Sequence, residues 1–239
     1  MILNKWSFSF ITIAISLSAA NAETDTNLAV KGTLLPLACD INIEGSADYG
    51  VIRKDMLKED AYTLLDTKEV GLKIHCPASI KVAFRAVNGR DGSLAGPFTR
   101  EPAMPPSDML PGLQPTFLVG MGKISENKIG GYNLQLISGS FNDYGDRIEP
   151  LTLLQGSGSS GSEVTDWRIV NGPSYSYSLF GANDKRYLSF SKQGNTKPAA
   201  IQNVSGRITI QAFINKLSEL DITHDFQLNG LTTLEVHYL

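Results

Sequence analysis

The feature that most constrains the fold of this chain is a repeated two-residue alternation of apolar and polar side chains. Leu28, Val30, Gly32 and Leu34 share one parity against Ala29, Lys31 and Thr33. Val70, Leu72, Ile74 and Cys76 alternate with Gly71, Lys73 and His75, and Ile80, Val82, Phe84 and Ala86 alternate with Lys81, Ala83 and Arg85. A longer even-numbered face runs through Val204, Gly206, Ile208, Ile210, Ala212 and Ile214, and Phe226, Leu228, Leu234, Val236 and Tyr238 continue the parity across Asn229-Gly230. Successive side chains of a strand point to opposite faces of its sheet. Each run therefore predicts an antiparallel strand with one face in a core and the other in water.

Helical periodicity is nearly absent. The one candidate helix is Lys54–Leu65, where Met56, Leu57, Ala61, Leu64 and Leu65 share a face, or a single helical turn in a loop between strands. Asn88-Gly89, Asn171-Gly172 and Asn229-Gly230 are turn dipeptides that tolerate positive φ. Many short strands joined by Gly- and Pro-rich turns predict an all-β sandwich. Two segments read as loop insertions. Residues 97–115 hold six of the eleven prolines, which a central strand does not admit, and residues 156–163 are Gly/Ser-rich.

The first 22 residues have the three parts of a secretory signal. Lys5 is the positive start, Trp6 to Leu17 is an apolar stretch interrupted only by Ser and Thr, and Ala20-Asn21-Ala22 is a small-x-small cleavage site. The stretch falls short of the ~18 apolar residues of a spanning helix. The mature chain is expected to be residues 23–239, one elongated domain exported to the periplasm. A net charge of -3 without basic clusters argues against nucleic acid and anionic membranes as partners. Cys39 and Cys76 are the only thiols. In an exported chain two cysteines oxidise to one bridge, and no Cys-x-x-Cys spacing suggests a metal or redox role.

The motifs that carry chemistry are weak. Gly156-Ser157-Gly158-Ser159-Ser160-Gly161 matches G-x-G-x-x-G by letter, but no amphipathic helix follows to bring amides to a pyrophosphate. His-Glu-x-x-His, Gly-x-Ser-x-Gly and Walker patterns are absent from the sequence. His75 and His237 fall on the polar faces of predicted strands, and His224 with Asp221 and Asp225 reads as a solvated turn. Glu59 and Asp60 are adjacent and do not face each other on a helix. Tyr175, Tyr177 and Leu179 alternate with serines, followed by Tyr187 and Phe190, which reads as a strand that buries its rings rather than a sugar-stacking platform. Asn203-Val204-Ser205 is a sequon by letter only. No catalytic, cofactor-binding or metal-ligating residue is assigned. A secreted hydrolase would have to draw its carboxylates from distant strands.

Lys31-Gly32-Thr33-Leu34-Leu35-Pro36-Leu37-Ala38-Cys39 and a second cysteine in Ile74-His75-Cys76 together resemble the chaperone–usher fimbrial (pilus) subunits. Asp48-Tyr49-Gly50-Val51-Ile52 and the ending Leu228-Asn229-Gly230 with Leu234-Glu235-Val236-His237-Tyr238-Leu239 are similar to stretches of one group among them, the poorly characterised fimbria-associated proteins of enteric bacteria. The match covers both ends and the cysteine frame, while residues 88–194 carry no motif of the family.

The resemblance implies an incomplete immunoglobulin-like sandwich that lacks its last strand, with Cys39–Cys76 as the family's bridge. A periplasmic chaperone, and then the N-terminal extension of the next subunit, would fill the open groove by β-strand addition at an outer-membrane usher. Carried over by position, Leu234, Val236 and Tyr238 border that groove. Thr26, Leu28 and Val30 form the donor strip within residues 23–34, an extension shorter than the family's usual one. The expected function is that of a structural or minor subunit of a surface fimbria, not an enzyme. The alternative is a secreted adhesin or binding module that contacts a host glycan or protein through residues 97–115 or 175–187.

Overall fold

The computed structural model describes residues 38–154, 167–182, 186–221 and 226–239, which form strands joined by loops and short 3-10 turns. In chain order the strands are β1 (Asp40–Glu44), β2 (Thr63–Leu64), β3 (Lys68–Ile80), β4 (Val82–Asn88), β5 (Val119–Gly120), β6 (Lys123–Ile124) and β7 (Asn127–Lys128). They continue as β8 (Gly130–Leu136), β9 (Asn142–Asp143), β10 (Asp146–Leu154), β11 (Arg168–Ile169), β12 (Arg186–Lys192), β13 (Ile201–Ile214) and β14 (Thr232–Tyr238). The fold is the all-β antiparallel sandwich that the alternation predicts.

One layer is built on β13. It pairs with β3 on one side and β8 on the other, so that Ile208 lies opposite both Val70 and Leu136. β1 extends this layer beyond β3, β5 extends it beyond β8, and β2 and β9 lie along β13. The second layer runs β11-β10-β12-β4-β14. The β9–β10 hairpin joins the layers on one side. The chain also crosses between them at Lys81, which divides the run Ile80–Ala86: Ile80 closes β3 in one layer, and Val82 opens β4 in the other.

The inward faces meet in one large cluster that includes Leu72, Ile74 and Cys76 of β3, Phe84 of β4, Leu188 and Phe190 of β12, and Val204, Ile208 and Ile210 of β13. Phe190 ties the layers together through Phe141, 5.2 Å away centroid to centroid, and packs on Phe84 of its own layer at 5.7 Å. The absence of a side chain at Gly206 makes this possible. A Cβ there would sit 2.2 Å from the Phe141 ring, so the ring occupies the space that any other residue would fill.

Several sequence expectations are corrected. Of the two readings of Lys54–Leu65, the single turn between strands holds and the amphipathic helix does not: only Lys54–Met56 turns, in 3-10 form and without a side-chain cap, and Met56 is exposed. Pairing wins over helix propensity here, because Thr63 and Leu64 join β13 as β2, and Leu65 donates its N–H to the Ala212 carbonyl. The three Asn-Gly pairs lie in loops, but none of their glycines takes positive φ. At Gly89 the amide instead bonds the Leu231 carbonyl and extends the β4–β14 ladder. Phe226 and Leu228 precede β14 in an irregular segment rather than a strand.

The Pro-rich segment 97–115 is more than a surface loop. It lends Leu110 to a second buried cluster with Leu94, Ala95, Leu118 and Phe213, and its own Pro102 is buried. The Glu101 carboxylate pins it, accepting the N–H groups of Leu94 and Gly120 and the Asn88 side-chain amide, the last two at 2.9 and 2.8 Å. Hydrogen bonds to a charged acceptor contribute roughly 1.5–3 kcal/mol each and are not additive. Glu101→Ala is therefore expected to cost about 2–3 kcal/mol in denaturant unfolding and to expose residues 97–115 to limited proteolysis. Glu101→Gln should rescue only part of this, because one end of its amide is itself a donor facing a donor. An unchanged denaturation midpoint in Glu101→Ala would show that the pin is dispensable.

Candidate functional site

The arrangement that stands out chemically is an opening between the layers, on the side opposite the β9–β10 hairpin. Among the described residues β1 is paired only with β3, and β14 only with β4. Leu239 donates its N–H to Lys81, and the Leu231 carbonyl accepts from Gly89. The odd-numbered residues of β14 thus spend their backbone groups on β4. By the alternation of an antiparallel ladder, Thr232, Leu234, Val236 and Tyr238 aim their N–H and C=O groups outward along the free edge.

The side chains at the two edges are apolar and face inward. Leu234 and Val236 pack against the central cluster yet stay only partly buried. On β1, Ile41 and Ile43 lie opposite Ile74 and Leu72, both fully buried, so they share the core face. Ile43 is nevertheless 43% exposed. Residues that point into a core but remain in water mark a wall without its cover. The odd face of β14 has the opposite character: Arg85 donates to Glu235 at 2.7 Å, and His237 packs edge-on against Tyr187 at 5.0 Å.

Both ends of β14 are fastened. At its start Tyr132 and Thr232 share a hydroxyl–hydroxyl bond of 2.6 Å, and burial pushes the Tyr132 phenol up to about 12. At its end the Tyr238 hydroxyl accepts the Cys39 N–H at 2.8 Å, which brings the two open edges together at one pole. The strand is held in place while its middle, among the described residues, offers outward backbone groups with no strand partner above half-covered apolar side chains.

Cys39 and Cys76 form the disulfide, which ties the entry of β1 to β3. Leu234, Val236 and Tyr238 lie on one strand beside this opening. Ile41 and Ile43 were missed, although the alternation Asp40-Ile41-Asn42-Ile43-Glu44 directly after Cys39 carries their signal. Thr26, Leu28 and Val30 lie outside the described residues, as do His224, Asp225, the first 22 residues expected to be an export signal, and the Gly156–Gly161 motif. Asp48 caps a local turn by accepting the Gly50 N–H at 2.8 Å, and the Tyr49 ring packs on the central cluster.

His75 lies on the outer face of β3, its Nδ1 2.6 Å from the Asn203 side-chain oxygen. The Ser174–Tyr177 segment forms a 3-10 turn rather than the expected strand, followed by buried Leu179 and Phe180. The deeply buried Arg186 explains this departure: its guanidinium donates to the Ser176 and Phe180 carbonyls and holds the turn in place. Among the described residues no group of three or more His, Cys, Asp or Glu side chains is placed to hold a metal ion.

Residues 28–133 match a family described as "Protein of unknown function (DUF1120)". The chain is also similar along most of its length to two proteins of Escherichia coli (strain K12). Protein GltF is 26% identical over 240 residues, covering 96% of this chain and 94% of the relative. The uncharacterized protein YhcF is 23% identical over 232 residues, covering 92% and 93%. No solved structure matches the chain.

Proposed function

We propose that this chain is a non-enzymatic subunit, structural or minor, of a surface fimbria, assembled by β-strand addition with a periplasmic chaperone and an outer-membrane usher. The observation that carries the reading is the uncovered opening between β1 and β14, where Ile43, Leu234 and Val236 face inward yet remain partly in water beside a free strand edge. An extended segment laid along β14 would satisfy the outward N–H and C=O groups, and its alternate side chains would cover those apolar residues. The segment Thr26-Asn27-Leu28-Ala29-Val30 of a neighbouring subunit has the required alternation. The outward-facing polar pairs of β14 leave only its inward face and free edge for such a partner.

Thermal unfolding of the exported, oxidised chain with an excess peptide of residues 23–34 tests this. At a peptide concentration a hundredfold above its Kd, mass action adds about 2.7 kcal/mol. For a domain of this size that is a rise in Tm of roughly 5–10 °C. The double variant Leu234→Asp/Val236→Asp should abolish the rise. A monomer that unfolds cooperatively, with a Tm indifferent to both the peptide and a purified fimbrial chaperone, would sink the proposal.

A further inference from the structure

The three Asn-Gly pairs, Asn88-Gly89, Asn171-Gly172 and Asn229-Gly230, are alike in sequence. In each the backbone nitrogen after the asparagine belongs to a residue with no side chain to hinder it. Such a nitrogen, on losing its proton, attacks the asparagine Cγ. The bond from Cγ to the side-chain nitrogen breaks, ammonia leaves, and a five-membered succinimide forms. Water then opens the ring at either carbonyl, to aspartate or to isoaspartate. The sequence of steps needs no oxidant, no reductant and no reagent but water. It does need a Cγ free to swing towards the next residue, and a nitrogen not already spent on a hydrogen bond.

The fold meets these needs unequally. Asn88 is fastened at both side-chain atoms: Nδ2 donates to Glu101 at 2.8 Å, and Oδ1 accepts the Arg90 N–H at 2.9 Å. The Gly89 N–H is spent on the Leu231 carbonyl at 2.8 Å. Asn229 is fastened at three atoms. Its Oδ1 and its carbonyl accept from the Arg90 guanidinium at 2.7 and 2.9 Å, and its N–H donates to Met121 at 3.3 Å. Asn171 and Gly172 follow β11 and are both exposed. The residues on either side of them are tied, the Val170 N–H to Pro150 at 3.0 Å and the Ser176 N–H to Pro173 at 2.7 Å. Among the described residues, however, no hydrogen bond reaches the Asn171 side chain or the Gly172 N–H. We propose that Asn171 is a site of spontaneous deamidation, and that Glu101, Arg90 and Leu231 protect the same dipeptide at Asn88 and Asn229. The product places a negative charge between β11 and the Ser174–Tyr177 turn, and its isoaspartyl form lengthens the backbone there by one methylene.

Peptide mapping by mass spectrometry tests this. The oxidised, folded chain is incubated at neutral pH and sampled over time, and a brief, mildly acidic digestion keeps the workup from adding product. Conversion at Asn171 is expected to be at least about tenfold faster than at Asn88 or Asn229, since opening even one hydrogen bond to a charged partner slows attack by about that factor. In urea, where the fold protects nothing, the three rates should converge. Arg90→Ala should raise the rate at Asn229 and leave that at Asn171 unchanged, which separates a lost local bond from general loosening. If that variant fails to fold, the comparison of the three pairs in the unaltered chain decides the matter. The proposal is overturned if Asn171 stays intact in the folded chain while the chain in urea deamidates. It is also overturned if Asn88 or Asn229 converts in the folded chain as fast as Asn171.

Discussion

Removing the Cys39–Cys76 bridge, as Cys39→Ala/Cys76→Ala or by reduction, is expected to lower the unfolding free energy by about 4 kcal/mol in the chain-entropy model. The size follows from the sequence separation of 37 residues that the bridge closes. In a domain of this length such a loss moves Tm down by roughly 8–16 °C. Local consequences should be larger than the global figure suggests. β1 is five residues long, lies at a sheet edge, and has a partner only in β3 among the described residues. Without the bridge only the ladder to β3, the Cys39 N–H bond to Tyr238 and the half-buried Ile41 hold it, and amide exchange in Asp40–Glu44 should rise far above that of β13. Since β1 forms one wall of the opening, the reduced protein should also lose the peptide-induced rise in Tm. Coincident melting curves for the oxidised and reduced protein would show that β1 is held by its side chains.

Phe190→Ala is expected to cost about 3–5 kcal/mol, the range for removing a buried aromatic ring whose surroundings relax only in part. Phe190 is almost completely buried and lies between Phe84 of its own layer and Phe141, the contact that joins it to the other layer. Collapse into the vacated space is limited, because Phe141 is already seated against Gly206 and Phe84 is paired through Leu188 and Val236 on either side. Phe190→Leu keeps most of the volume and should cost about half as much or less. Urea unfolding of both variants measures the difference. Equal, small losses would mean that the interlayer contact is carried elsewhere, for instance by the β3 and β13 aliphatics.

The fold class was legible because alternation is a local property. Val70 to Cys76 and Val204 to Ala212 put their apolar parity into the core because strand geometry leaves a residue only two faces, and burial of one face selects the register. The bridge was legible for a different reason: two thiols in a chain expected to be exported leave one pairing. Local signals failed where a distant partner decided the outcome. Thr63 and Leu64 became a strand because Phe213 and Ile214 were available to pair with them. Ser174–Tyr177 became a turn because Arg186 holds it, and Gly89 bends without positive φ because Leu231 waits opposite.

The candidate site divides in the same way. Leu234, Val236 and Tyr238 share a parity that any reader of the chain can mark. That they stand on a strand with no second partner among the described residues, as Ile41 and Ile43 do on β1, depends on which strands pair with which, and the fold links residues nearly two hundred positions apart, as the Cys39–Tyr238 bond does. The cleft where β13 ends depends wholly on tertiary structure. Tyr62, Pro106, Glu126 and Lys216 carry no common motif, and only the end of β13 gathers them around one space. By itself the sequence determined that strands form and which faces they bury, because those choices are settled between adjacent residues. The tertiary structure decided which edges stay open and which side chains share a cleft, because backbone hydrogen bonds across a sheet are indifferent to distance along the chain.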